Sequence, residues 1–191
     1  MKALFTALCL TGMASLAQAD WALDRADSTF NFASIKKNHV YETHTFNRYE
    51  GSISESGAAV LMFDLNSVST GIDIRNQRMK SMLFDTDKFS TAQYHLQVNP
   101  MSLKALKPGQ RMQMNVSGSL SLFGTEKTLP AVLNVFRMTN DRLLVSTAQP
   151  IVVKAADYGL DGGVEALRKV AGLPVISHSV PVNFNLVFDM Q

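Results

Sequence analysis

The residues with chemical potential in this chain are few and scattered. Its four histidines are His39, His44, His95 and His178. His39 and His44 lie five apart, on opposite faces of any extended segment, with no HxH or HExxH spacing around them, so they are poor partners for one metal ion. Asp85 and Asp87 stand two apart, as they would in a solvated loop. No GxSxG elbow, P-loop, GxGxxG or CxxCH occurs, and Asn115-Val116-Ser117 matches a glycosylation sequon in form only. The chain is therefore not expected to be an enzyme, and no metal or resident cofactor is expected. What remains is a knot of cations, Arg75, Arg78 and Lys80, interleaved with Met79, Met82 and Leu83. Guanidinium groups beside soft thioethers suit another task, which is holding the polar head of a greasy molecule.

The knot belongs to residues 64–89, the one stretch that breaks a dense run of short alternating strands. Ser, Asn and Thr between Asp64 and Thr70, followed by Gly71, end the preceding strand in a turn. From Asp73 the apolar period changes. Asp73 can cap a helix of about two and a half to three turns whose Met79, Met82 and Leu83 fall at i, i+3 and i+4 on one face. That face is either core, plugging one end of a β-structure, or a lid over an apolar cavity with Arg75 or Arg78 turned to a head group. Arg75 has the same two readings. It pairs with Asp73, Asp85 or backbone carbonyls to fix the helix, or it touches a ligand.

The rest of the chain supplies strands. Trp21 to Ala33 places Phe30 and Phe32 on one face, and Gly51–Ser54 with Ala58–Leu65 makes a hairpin around Ser56-Gly57. Met112, Met114, Val116, Gly118, Leu120 and Leu122 keep one parity, and Leu129, Ala131, Leu133 and Val135 resume it after a turn at Phe123-Gly124. Pro130 takes the opposite parity, which fits an edge or a barrel rim. A short helix is expected over Val164–Val170, stopped by Gly172 and Pro174. In the last strand Val180, Val182, Phe184, Leu186 and Phe188 share one face, while Asn183 and Asn185 lie on the other. The expected fold is all-β, an antiparallel barrel of about eight strands with one or two short helices. Phe30, Phe32, Met79, Met82, Phe84, Met112, Met114, Val116, Phe184 and Leu186 are the candidate cavity lining, and Arg75 is the candidate head-group contact.

Residues 1–19 read as an export signal, with Lys2, an apolar run to Leu16 and the cleavage pattern Ala17-Gln18-Ala19. The run is too short to span a membrane. Residues 20–191 then form one domain. Of the 18 Lys and Arg only Lys2 falls in the signal, so 17 face 16 Asp and Glu, a near balance that argues against a nucleic-acid partner. The single cysteine, Cys9, leaves with the signal. Disulfides, thiolate metal sites and Cys nucleophiles are thereby excluded from the mature chain.

Ser67-Val68-Ser69-Thr70, Arg75-Asn76, Met79-Lys80 and Phe84 together resemble the signature S-[VI]-x-T-x(4)-R-[DN]-x(2)-[LM]-[KR]-x(3)-F of the YceI-like proteins. Trp21-Ala22-Leu23-Asp24, Val116-Ser117-Gly118-Ser119-Leu120 and Asp157-Tyr158-Gly159 extend the likeness over nearly the whole mature chain. Ser90 stands where that family usually has Pro, and Lys154 where it often has Arg. The resemblance implies a lipocalin-like barrel, exported to the periplasm, that sequesters or carries an isoprenoid lipid such as a polyprenyl phosphate or a quinone. A polyprenyl chain of about 40 carbons, at roughly 0.3 kcal/mol per heavy atom, would bind near the nanomolar range with no catalytic group. The alternative is a side-chain-filled module that docks on a membrane redox or stress-response protein. A homodimer and a transient contact with a membrane or membrane protein are compatible with both. An acid placed on the inner face of the last strand separates a true core from a wrong parity. Phe184→Asp should unfold the protein or abolish lipid binding, and normal melting together with normal binding would overturn the assignment.

Overall fold

The computed structural model describes residues 19–191, so the expected export signal lies outside the described residues except for its last position. Alternating apolar and polar residues oblige each strand to bury one face, and the chain satisfies them all at once by closing a sheet on itself. The strands are β1 (Ala19–Lys36), β2 (Val40–Phe46), β3 (Tyr49–Ser54), β4 (Ala58–Asp64), β5 (Val68–Ser69), β6 (Thr91–Gln97), β7 (Arg111–Leu122), β8 (Thr125–Thr139), β9 (Arg142–Thr147), β10 (Ile151–Lys154) and β11 (Ser179–Met190). Eight of them, β1, β3, β4, β6, β7, β8, β9 and β11, pair antiparallel in a ring that closes where β11 meets β1. This is the all-β barrel expected. Two short strands lengthen it at one end: β2 follows β3 along one edge of β1, and β10 follows β9 along one edge of β11.

β1 can serve the whole length because it changes parity midway. Its register with β11 breaks between Asp24 and Thr29, so that Trp21 before the bulge and Phe30 and Phe32 after it are all buried. Ser28 fills the break, donating to the Asp24 carbonyl at 2.5 Å and accepting the Val187 N–H at 2.9 Å. Pro130 sits opposite Ser117 on β7, and its other side has no ladder partner because β9 reaches β8 only from Leu133 onward. A missing N–H costs nothing on such an edge.

Three short helices close the ends: α1 (Asp73–Arg78), α2 (Pro100–Ala105) and α3 (Asp161–Val170). The unexpected one is α2, although Asn99 caps it through the Met101 N–H at 3.0 Å and Pro100 opens it, both ordinary start signals. Its Leu103, with Leu106, is buried at the lower end, where the Arg137 guanidinium lies 4.9 Å from the Trp21 ring and donates to the carbonyls of Leu106 and Asn140. The upper end is covered by α1, its continuation and α3. Among the described residues no helix is long and apolar enough to cross a membrane.

Gly118 shows how tightly the wall is fitted. The Tyr94 ring lies where a side chain would project, and its hydroxyl accepts the Gly118 N–H at 3.0 Å while donating to the Leu129 carbonyl at 2.8 Å. A Cβ at Gly118 would fall 2.3 Å from Tyr94 Cζ and 2.6 Å from the His95 carbonyl oxygen. Gly118→Ala is expected to cost about 1–3 kcal/mol through overpacking; an unchanged chemical-denaturation midpoint would show that the wall yields.

Candidate functional site

The upper lid departs from a plain helix. Ile72, in extended conformation, occupies the cap position, and Asp73 is the first helical residue and makes no capping bond. At Met79–Phe84 the helix widens into a π turn, ended by Asp85 in the left-handed region at φ 46°. In a π turn the hydrogen bonds reach five residues rather than four, so each turn holds more residues and position i+3 rotates off the face begun at i. Met79 and Phe84 therefore stay buried and Leu83 also faces inward, whereas Met82 is 37% exposed and lines nothing. The expected i, i+3, i+4 face is corrected accordingly. α3 crosses this turn at Gly163, where a Cβ would lie 2.8 Å from the Met82 carbonyl oxygen and 2.9 Å from Leu83 Cα. Only glycine allows that approach.

Beneath the lid the barrel holds a cavity of about 520 Å³, within the roughly 300–1,000 Å³ of ligand pockets. Phe30, Phe32, Arg75, Met79, Phe84, Met114, Val116, Phe184 and Leu186 all line it. Met112, the second correction, packs half-buried against the core near the start of β7 and does not reach the cavity. Phe46 and Phe63 were not expected there. They join Phe30 and Phe32 in an aromatic cluster, with ring centroids 4.4 Å apart for Phe30–Phe63 and 5.2 Å for Phe32–Phe46. The signal for Phe46 was the period-two run Val40, Glu42, His44, Phe46 on β2.

The cavity lining is mostly apolar, and its charged side chains gather at the upper end, where Ser34, Lys36, Glu42, His44, Arg75 and Arg78 meet. Arg75 pairs with neither Asp73 nor Asp85. It donates to Glu42 at 2.7 Å and to the Thr70 carbonyl at 2.6 Å, and Thr70 in turn bonds the Asn76 side chain through its N–H at 2.9 Å and its hydroxyl at 2.6 Å. Lys36 reaches the same Glu42 oxygen at 2.8 Å. The Lys36 bond first, then Arg75, holds the Glu42 carboxyl below its ordinary range against the opposing effect of burial. The Arg75 Nε, buried, has no partner.

His44 is the residue that sequence reasoning passed over. It is 5% exposed, its Nε2 lies 2.9 Å from Ser34 Oγ, its ring meets Phe32 edge-on at 5.4 Å, and its buried Nδ1 is unpartnered. Burial, and then the Arg75 charge, pushes it down to about 4, so it is neutral near pH 7. Ser34 Oγ and Nε2 share one hydrogen bond, which leaves Nδ1 as the ring nitrogen without a partner. Two unpartnered nitrogens, Arg75 Nε, which is a donor, and His44 Nδ1, belong to this polar end, where a ligand's polar head would relieve the cost of leaving them bare. Among the described residues, no group of three or more His, Cys, Asp or Glu is placed to hold a metal ion.

A model of the YceI-like domain matches residues 21–188. The chain belongs to the YceI-like family. A polyisoprenoid binding domain from Saccharophagus degradans, implicated in plant cell wall breakdown, is 42% identical, covering 91% of this chain and all of that one, with a TM-score of 0.89. BcnA of Burkholderia cenocepacia is 18% identical over 86% of this chain and 98% of its own, with a TM-score of 0.68. The YceI protein of Campylobacter jejuni is 10% identical over 78% and 84%, with a TM-score of 0.56. The last two share the fold. No curated protein matches the chain in sequence. Within this YceI-like barrel, the signature residues Thr70, Arg75 and Asn76 are tied to one another and to β2, which makes the motif a fastening for the lid.

Neutral His44 has a measurable consequence. Its folded value near 4 lies below its ordinary 6.5, so the unfolded chain binds the extra proton and stability falls as pH drops from about 6.5 towards 4, by up to about 3 kcal/mol. His178, raised chiefly by its bond to Asp161, acts in the other window, adding stability that is lost as pH rises past 6.5. Urea midpoints between pH 6.5 and 4 should therefore slope less for His44→Gln than for the parent. Equal slopes would mean that His44 titrates normally.

Proposed function

We propose that this YceI-like protein binds an isoprenoid lipid, with the tail in the barrel and the head at the polar end, and that it sequesters or carries that lipid through the periplasm. The observation that carries the reading is the cavity itself, a hollow lined mostly by apolar side chains with its charged groups gathered at one end. A filled interaction module would have spent those side chains on packing. The likeness to the Saccharophagus degradans polyisoprenoid binding domain supports the ligand class. Oxygen acceptors on either a polyprenyl phosphate or a quinone suit the free donor on Arg75. Export is supported by Lys2, the apolar run to Leu16 and Ala17-Gln18-Ala19. Long apolar ligands bind by area removed from water, so the role requires no catalytic group.

Native mass spectrometry of the protein purified from a bacterial envelope, followed by organic extraction, should find one isoprenoid lipid per chain. Val116→Trp, which fills the cavity from β7, should keep the fold and lower lipid occupancy at least about tenfold. A parent that is empty and also refuses added quinones and polyprenyl phosphates would defeat the carrier reading in favour of the interaction module.

A further inference from the structure

The mouth of the cavity carries apolar residues that the barrel does not need. Ile72, at the cap of α1, Ile74, in its first turn, and Val170, at the end of α3, are 48%, 52% and 42% exposed, yet all three line the cavity. Being both exposed and part of the cavity lining, they join the apolar interior to the surface at the lid helices. Isolated exposed side chains need no explanation, but a ring of them around an opening does.

The charges around this ring are unbalanced. Glu42 is neutralised twice over, by Lys36 and Arg75, and Glu165 is taken by Arg168. Arg78 lines the mouth, Lys169 adjoins Val170, and Lys37 follows Lys36 with its N–H bonded to the Val175 carbonyl at 3.1 Å. Among the described residues these three have no salt-bridge partner, and neither has Asp73, the acid between Ile72 and Ile74. An apolar centre within a net positive collar complements the interface of a bilayer with anionic heads. Isoleucines would enter the acyl boundary, and long cationic side chains would stay level with the phosphates.

We infer that the α1–α3 mouth docks the barrel on an anionic membrane surface, so that the lipid passes between bilayer and cavity without crossing water. The inference rests on the lipid-binding reading for its purpose, although the docking itself is measured separately. The purified protein is floated with vesicles of phosphatidylcholine and with vesicles that also contain phosphatidylglycerol. Binding is expected to the anionic vesicles only and to weaken with added salt. Ile72→Ser with Ile74→Ser should weaken it about tenfold, and Lys37→Gln with Lys169→Gln about twenty-five-fold, at about fivefold per charge. The lysine variant should still take up a polyprenyl phosphate or quinone delivered in detergent. A parent that floats with neither vesicle, or variants that float like the parent, would overturn the docking. A parent that floats but takes up no lipid from detergent would leave the docking standing and defeat the lipid-binding reading instead.

Discussion

The pairing of the first strand with the last is the interaction on which the rest of this barrel depends. Phe30 stands opposite Phe184, and the ladder runs from Trp21–Met190 to Phe32–Val182. Until those ends meet, the sheet has two open edges and every inner face is exposed to water. One seam therefore controls the burial of the whole interior, and it joins segments near the two limits of the described chain, an arrangement that slows folding. The seam is reinforced where it is most irregular. Ser28 spans the bulge, and Arg142 from β9 reaches Asp24 and Asp27 beside it.

Closure alone does not decide whether a barrel is solid or hollow. Eight strands leave an interior that side chains can just fill, and this chain fills only part of it. Phe30, Phe46, Phe63 and Tyr49 pack as a tilted cluster on one wall. Elsewhere Val, Leu and Ala alternate with single large residues such as Met114 and Phe184, and a hollow of about 520 Å³ remains between them. An unfilled apolar hollow forfeits dispersion contacts that a close-packed core would make. A molecule that restores those contacts stabilises the folded state in proportion to how tightly it binds.

Much of this was legible in the sequence wherever period two was unbroken. β7, β8 and β11 could be read residue by residue, and of their picked lining residues only Met112 misses the cavity, because it stands near the end of the wall. The errors arose where a local device changed the period. The π turn removed Met82 from the face it shares with Met79 in an ordinary helix, and nothing in the composition of Met79–Phe84 announces such a turn. The short β2 was obscured because its inner face alternates Glu42 and His44 with Phe46, and polar residues on an inner face read as solvent-exposed. The position of Pro130, by contrast, was predictable from the lost N–H alone.

That misreading of β2 bears on what a family signature encodes. Thr70, Arg75 and Asn76 spend almost all their hydrogen bonds on each other and on Glu42. Of the Arg75 guanidinium, Nε is the nitrogen left without a partner. The signature therefore specifies chiefly how the lid is held over the hollow, with one Arg75 donor to spare. His44 and Ser34, which lie outside it, add polar groups at the same end that are costly to bury without partners. A fold can keep its lid and vary those two positions, changing the polarity of one end of the hollow without changing the way the barrel closes.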